Sequence, residues 1–168
     1  MKQGRVTTVV LFAIYALVLI GLVLFKFPFS YDDTESGRHL NLIPFAGSFT
    51  GAGTLRLGEI VENVLVFVPF GVYLCMLKPD WSFAKKLIPI VVTTVAFETI
   101  QYVFAIGRAD VTDVIGNALG GILGIAVYGL LARALGARTD RVLRVVAVIL
   151  TVGALALYAV LFARSSTR

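Results

Sequence analysis

The sequence is poor in the residues from which most enzymes and soluble folds are built. It has one cysteine, Cys75, and one histidine, His39, among 168 residues. A single cysteine excludes an internal disulfide, and with it any reading of redox compartment from cysteine pairing. No H-x-x-x-H or paired-cysteine spacing is present, so nothing supports zinc. Charged residues make up only 15% of the chain, against about 25% in ordinary soluble domains. That scarcity excludes a disordered chain, which needs high charge and low hydrophobicity. It also excludes a water-soluble globule, because 58% of the residues are hydrophobic and mean hydropathy is +0.92. A domain of this size leaves too much surface outside its core to hide them all.

What is present is long apolar runs. Five stretches approach the roughly 20 residues that cross a bilayer as a helix: Val6–Phe25, Leu57–Leu77, Leu87–Ile106, Asp113–Ala132 and Val145–Ala163. The expected fold is an all-α, polytopic membrane helix bundle with about five transmembrane helices, one domain over residues 1–168. The first run is read as an uncleaved anchor, since Lys26-Phe27-Pro28-Phe29 offers no small-residue cleavage site. Basic residues set the orientation. With the N-terminus cytoplasmic, the inner flanks hold nine of the Lys and Arg residues and the outer flanks six. Trp81, between Lys78 and Lys85, then sits at the cytoplasmic interface. The expected location is the cell membrane, multi-pass, and the net charge of +5 is read as topology-setting rather than as a nucleic-acid surface.

The remaining polar residues gather at one depth. Glu59, Glu62 and Asn63 lie in the outer turns of the second span at i, i+3, i+4 spacing. Glu98 and Gln101 stand three apart in the outer half of the third span. Arg108, Asp110, Asp113 and Asn117 open the fourth. A carboxylate at mid-span opposes insertion by about 2.5–3.5 kcal/mol. Such residues therefore face a bundle interior, paired with one another or with a cation such as Arg108. One explanation is a structural hydrogen-bond network that sets helix register, with each contact worth about 0.6 kcal/mol. The other is a ligand site, which the gathering of several acids and Arg108 at one depth favours for the cluster as a whole. His39 reads as an incidental loop residue and Cys75 as a small core residue. Oxygen ligands could suit a hard cation, but no metal or cofactor is expected.

The fourth span also carries Gly116, Gly120 and Gly124 in a GxxxGxxxG row, widened by Gly121, where another helix can approach closely. Pro69 interrupts the second span. Between the first two spans, Asn41-Leu42-Ile43-Pro44-Phe45 is too short to cross and too apolar for open water. It is expected to dip into the outer leaflet or to pack over helix ends, with a flexible Gly47–Thr54 loop after it.

Several separated motifs agree in order with one family. Asn41-Leu42-Ile43-Pro44-Phe45, Glu62-Asn63 with Phe67-x-Pro69-x-Gly71, Glu98-x-x-Gln101, and Gly107-Arg108 spaced to Asp113 with Asn117-x-x-Gly120 resemble the VanZ-like family. The resemblance covers Leu40 to Tyr128, about half the chain. It implies a membrane protein of a family associated with resistance to the glycopeptide teicoplanin, by a route the resemblance does not supply.

The expected function is action at the outer leaflet on or with a cell-envelope lipid or glycopeptide. The partner would be a lipid-linked precursor or a lipoglycopeptide, with the bilayer as solvent. Glu98 and Asp113 would form the charged centre and Arg108 an anion contact or counter-ion. Asn63, Gln101 and Asn117 would be orienting amides, with Glu62 and Asp110 beside them. An alternative is a membrane enzyme using Glu98 or Asp113 as acid or base on a polyprenyl-linked precursor. A third is a helper or scaffold subunit, suggested by the glycine row. Oligomers fit any of these readings. A transporter fits less well, since no repeat is evident.

Overall fold

The computed structural model describes residues 2–25, 39–46, 57–106 and 108–166. Five helices account for most of these: α1 (Lys2–Phe25), α2 (Leu57–Leu77), α3 (Phe83–Phe104), α4 (Val111–Leu135) and α5 (Thr139–Ser166). Two three-residue strands, β1 (His39–Asn41) and β2 (Arg108–Asp110), complete the architecture. At 1.5 Å per residue, α2, the shortest helix, is about 31 Å long, matching a bilayer core.

By length and composition four segments are able to cross a membrane, the last of them running from Val111 to Ala156 through α4 into α5. That last segment folds back on itself. A straight helix would put Tyr128 and Asp140 about 18 Å apart, yet the Tyr128 hydroxyl donates to Asp140 Oδ1 at 2.9 Å. The reversal occurs in a 3₁₀ turn over Gly136–Arg138, where Gly136 has φ of 54°. The Thr139 hydroxyl donates to the Leu131 and Gly136 carbonyls across it. The described residues thus form five helices, in line with the hydropathy reading.

The closest packing is between α2 and α4, which run parallel. A Cβ added at Gly120 would overlap the Val64 carbonyl oxygen, and one at Gly124 the Val68 carbonyl. From the other side, a Cβ on Gly71 would overlap the Gly121 carbonyl. The two backbones are therefore in direct contact along about three turns, which only residues without side chains permit. Helix α3 closes over this pair by placing Ile90 against Gly121.

Around the seam the core is aliphatic and aromatic. Phe67 and Ile90 are fully buried, with Leu19, Val23 and Leu24 of α1 and Phe97 of α3 packed near them. Phe67 meets Phe97 edge-on, and Phe12 meets Phe70 in the same way. Pro69 lies inside α2 without ending it. One turn away the Tyr15 hydroxyl donates to the Val66 carbonyl at 2.6 Å, tying α1 to the helix beside the missing N–H. Outward-facing positions such as Val92, Leu130 and Ile149 are apolar and exposed, as lipid contact requires. At the α2–α3 turn, Lys86 reaches the Pro79 and Trp81 carbonyls and Lys78 sits over the Trp81 ring.

Gly120→Ala should destabilise the protein by about 1–3 kcal/mol, the range for overpacking a tight interface. Gly129→Ala, where nothing lies within 4 Å, should not. Thermal unfolding of the two variants in detergent micelles checks the difference.

Candidate functional site

The polar residues collect at the end of the bundle opposite the α2–α3 turn. The chain reaches this end from α3 through a left-handed residue, Ala105, whose φ of 52° ends the helix. Strand β2 follows and runs straight into α4. It pairs in parallel with β1, with His39 opposite Arg108, Leu40 opposite Ala109 and Asn41 opposite Asp110. Parallel neighbours need a long crossover, here supplied by everything from α2 to α3. The all-α expectation did not include this ladder.

Asp110 is the hub of the ladder. Its Oδ1 accepts from the Thr112 N–H at 2.8 Å, capping α4. Its Oδ2 accepts from Asn41 Nδ2 at 2.9 Å. Its own N–H donates to Glu98 Oε2 at 2.7 Å. One aspartate therefore joins the α4 N-terminus, β1 and α3. The segment after β1 is bound in the same manner: Asn41 Oδ1 accepts from the Ile43 N–H at 3.1 Å, and the Thr112 hydroxyl accepts from the Phe45 N–H at 2.9 Å. Phe45 holds a φ of 64° there. The backbone of Asn41–Phe45 is thus tied to α4 while Leu42, Ile43 and Phe45 point outward, each 42% exposed or more. Of the two expectations for this segment, packing over a helix end is observed.

Two further tiers lie below. Asn63 Nδ2 of α2 donates to Asp113 Oδ1 at 2.6 Å. One turn deeper, fully buried Asn117 donates from Nδ2 to the Thr94 hydroxyl on α3 at 2.8 Å. Asp110, Asp113 and Asn117 recur every three to four residues on α4, so their contacts stack along the helix. The first bonds to β1 and α3, the second to α2 and the third to α3.

The expected residues divide accordingly. Glu98, Asp110, Asp113, Asn63 and Asn117 come together along α4. Arg108 is half-buried at the start of β2, and Glu98, Arg108 and Asp113 all have partners beyond these bonds. Gln101 is fully buried but turns to α1, donating from Nε2 to the Val23 carbonyl at 2.9 Å. Glu62 is exposed on α2, away from Asn63's contact with α4. His39 contributes its backbone to the ladder. Asn41, Thr94 and Thr112 belong to the network although only Asn41 stood in a motif. Asp110-Val-Thr-Asp113 did carry a signal, because an Asp just before a helical run is a preferred N-cap. Thr94 carried none.

Chemically the site offers carboxylates that accept from backbone and side-chain amide N–H groups, with buried amide oxygens beneath. Asn117 Oδ1 and Gln101 Oε1 accept no hydrogen bond from the described residues. Among those residues no group of three His, Cys, Asp or Glu side chains is arranged to hold a metal ion.

Glu98→Gln keeps an oxygen for the Asp110 N–H and should melt close to the native protein. Glu98→Leu leaves that buried N–H without this acceptor and should cost about 1–3 kcal/mol. Asp110→Ala removes the cap, worth about 0.5–2 kcal/mol, and also the Asn41 tie. Circular dichroism melts in micelles give this order directly.

With the geometry established, comparison with known proteins is informative. A family described as VanZ/LLP1 matches residues 12–132, which include every residue of the network and stop before α5. Protein VanZ of Enterococcus faecium is 38% identical over 153 residues, covering 89% of this chain and 91% of that protein. No solved structure matches. The apolar helices and the match over most of the chain show that it belongs to the VanZ family of multi-pass membrane proteins.

Proposed function

We propose that this protein lowers susceptibility to teicoplanin by engaging an amphipathic envelope ligand at the outer leaflet. That ligand is a lipid-linked cell-wall precursor or the lipid-bearing part of a lipoglycopeptide. The observation that carries the reading is the Asn41–Phe45 segment. It presents Leu42, Ile43 and Phe45 outward while its backbone is bound to Asp110 and Thr112. Apolar side chains and hydrogen-bonding groups are thereby offered side by side, which suits a molecule with a lipid part and a polar part. Glu98 and Asp113 supply the charge, Arg108 an anion contact, and Asn63 and Asn117 orienting amides. The N-terminus is cytoplasmic in this reading, on the nine-to-six excess of basic residues at the α2–α3 end.

An acid–base enzyme acting on a polyprenyl-linked precursor is the second reading, resting on buried Glu98 and half-buried Asp113. Glu98 accepts from the Asp110 N–H and Asp113 from Asn63 Nδ2, and carboxylates already tied into the protein in this way support binding more than proton transfer to a substrate.

The test is teicoplanin susceptibility in a sensitive Gram-positive host at matched membrane levels. The strains carry the native protein, Glu98→Gln, a Leu42/Ile43/Phe45→Ser triple variant, or empty vector. The native protein should protect. The triple variant keeps the backbone ties but loses apolar contacts worth about 1.5–3 kcal/mol each. It should therefore lose about tenfold or more in protection, since 1.4 kcal/mol is tenfold in affinity. Glu98→Gln should fold and protect less. Full protection by the triple variant would rule out the amphipathic-ligand reading, and unchanged purified lipids would rule out the enzyme.

Orientation is checked separately. An epitope tag ahead of Lys2 should resist external protease in intact cells and be cut after permeabilisation. Cleavage in intact cells would invert the topology.

A further inference from the structure

Helix α5 lies outside the family match, and none of its described side chains takes part in the polar network; it nonetheless forms one wall of a second feature. It leans on α1 and on the end of α4 but stands off α2. Between α2 and α5, floored by α1, runs a groove of about 670 Å³. The α5 wall carries the small residues Ala147, Thr151 and Ala154 among larger leucines and a valine, with Pro69 and Val72 on the α2 wall. Among the described residues no side chain fills the space between them. On α5 it extends from Leu143 to Leu155, about 18 Å of helix.

Three observations define what fits there. The walls are almost wholly apolar, and their polar members are Tyr15, Tyr73 and Thr151. The Tyr15 hydroxyl is already spent on the Val66 carbonyl. A cavity with so few polar partners favours hydrocarbon over water or a polar ligand. The groove also lies within the spanning parts of three helices, where the surrounding solvent is hydrocarbon. Its volume falls in the range of about 300–1,000 Å³ typical of single-ligand sites. Finally, its Leu143 and Met76 end is the end of the bundle rich in cations. Lys78, Arg138, Arg141 and Arg144 stand there, with the Arg144 guanidinium against Gly4 of α1. Basic residues beside a membrane span attract anionic headgroups, by about 1 kcal/mol for each Lys or Arg near the surface.

We infer that the α1–α2–α5 groove seats one acyl chain of an anionic phospholipid, drawn from the leaflet on the side of the α2–α3 turn. Its phosphate lies among the arginines at the start of α5. This lipid occupies the opposite end of the molecule from the polar network. The inference does not depend on the ligand proposed for that network, because its test contains no antibiotic or precursor.

The experiment uses the full chain in nanodiscs that contain phosphatidylglycerol with a diazirine on one acyl chain, followed by photolysis and peptide mapping. Labelling should concentrate on the α1, α2 and α5 linings, above lipid-facing Val92 on α3 and Leu130 on α4. Ala147→Phe and Ala154→Phe, which fill the groove, should lower its labelling severalfold while leaving Val92 and Leu130 unchanged. Ala147→Leu serves as a milder plug if the larger ones melt early. Phosphatidylcholine with the same diazirine should label the groove less. Labelling no greater than at the control positions, or indifferent to every folded plug, overturns the proposal. Equal labelling by both lipids overturns the anionic assignment. The rival occupant, a second copy, is read from Val72→Cys in a Cys75→Ser background: disulfide-linked dimers in membranes would make the groove an interface between chains and end the lipid reading.

Discussion

Contact between the backbones of α2 and α4 is the constraint on which the rest of the structure depends. In a bilayer, helices gain little from leaving lipid for each other, so close approach and interhelical hydrogen bonds must hold them. Gly120 and Gly124 of α4, with Gly71 of α2, allow that approach. The consequence reaches the polar network directly. Asn63 and Asp113 lie at the head of this seam, at Gly116, where a Cβ would come within 3.2 Å of Asn63 Cβ. A wider spacing would break their 2.6 Å hydrogen bond. The glycine row and the polar network are thus parts of one interface. Fewer side chains along it bring more polar groups into register.

The network has a second dependence, on Asp110. Non-helical backbone at membrane depth is tolerated only where its polar groups are satisfied against protein or a wet cavity. The connection from α3 to α4 and the segment after β1 are both of that kind. Pairing them as a short parallel ladder satisfies each with the other. Asp110 then fastens the ladder to α4 through its cap and to α3 through Glu98. This explains why Glu98 is buried within a spanning helix: it accepts a hydrogen bond from the ladder's last N–H. The apolar side chains of Leu42, Ile43 and Phe45 are left outward because their backbone is what holds the segment down.

Helical periodicity made much of this legible before any coordinates. The convergence of Glu98, Asp113, Asn63 and Asn117 at one level follows from the depth of each residue in its span. The spacing of Gly116, Gly120 and Gly124 identified the surface where a helix would press. Periodicity was too coarse at Glu62 and Asn63. Adjacent residues are turned by 100° from one another, and packing against α4 takes one and leaves the other exposed. It also grouped Gln101 with Glu98, whereas α1 lies close enough for Gln101 to find the Val23 carbonyl instead. Thr94 was invisible because a threonine in an apolar helix can bond to its own helix backbone, and only the fold shows that Asn117 across the interface donates to its hydroxyl.

What the sequence by itself determined was the solvent, the spans and the end of the bundle at which the polar residues gather. Those follow from apolar run length and from the cost of charge in hydrocarbon, both local properties of the chain. The tertiary structure alone decided the partners. The β1–β2 ladder joins residues 69 apart, and the ties from Asn41 to Asp110 and from Asn63 to Asp113 span similar distances. The groove beside α5 is of the same kind, since its walls come from three helices. Pairings over such separations depend on how whole helices pack, and no window along a single helix contains that information.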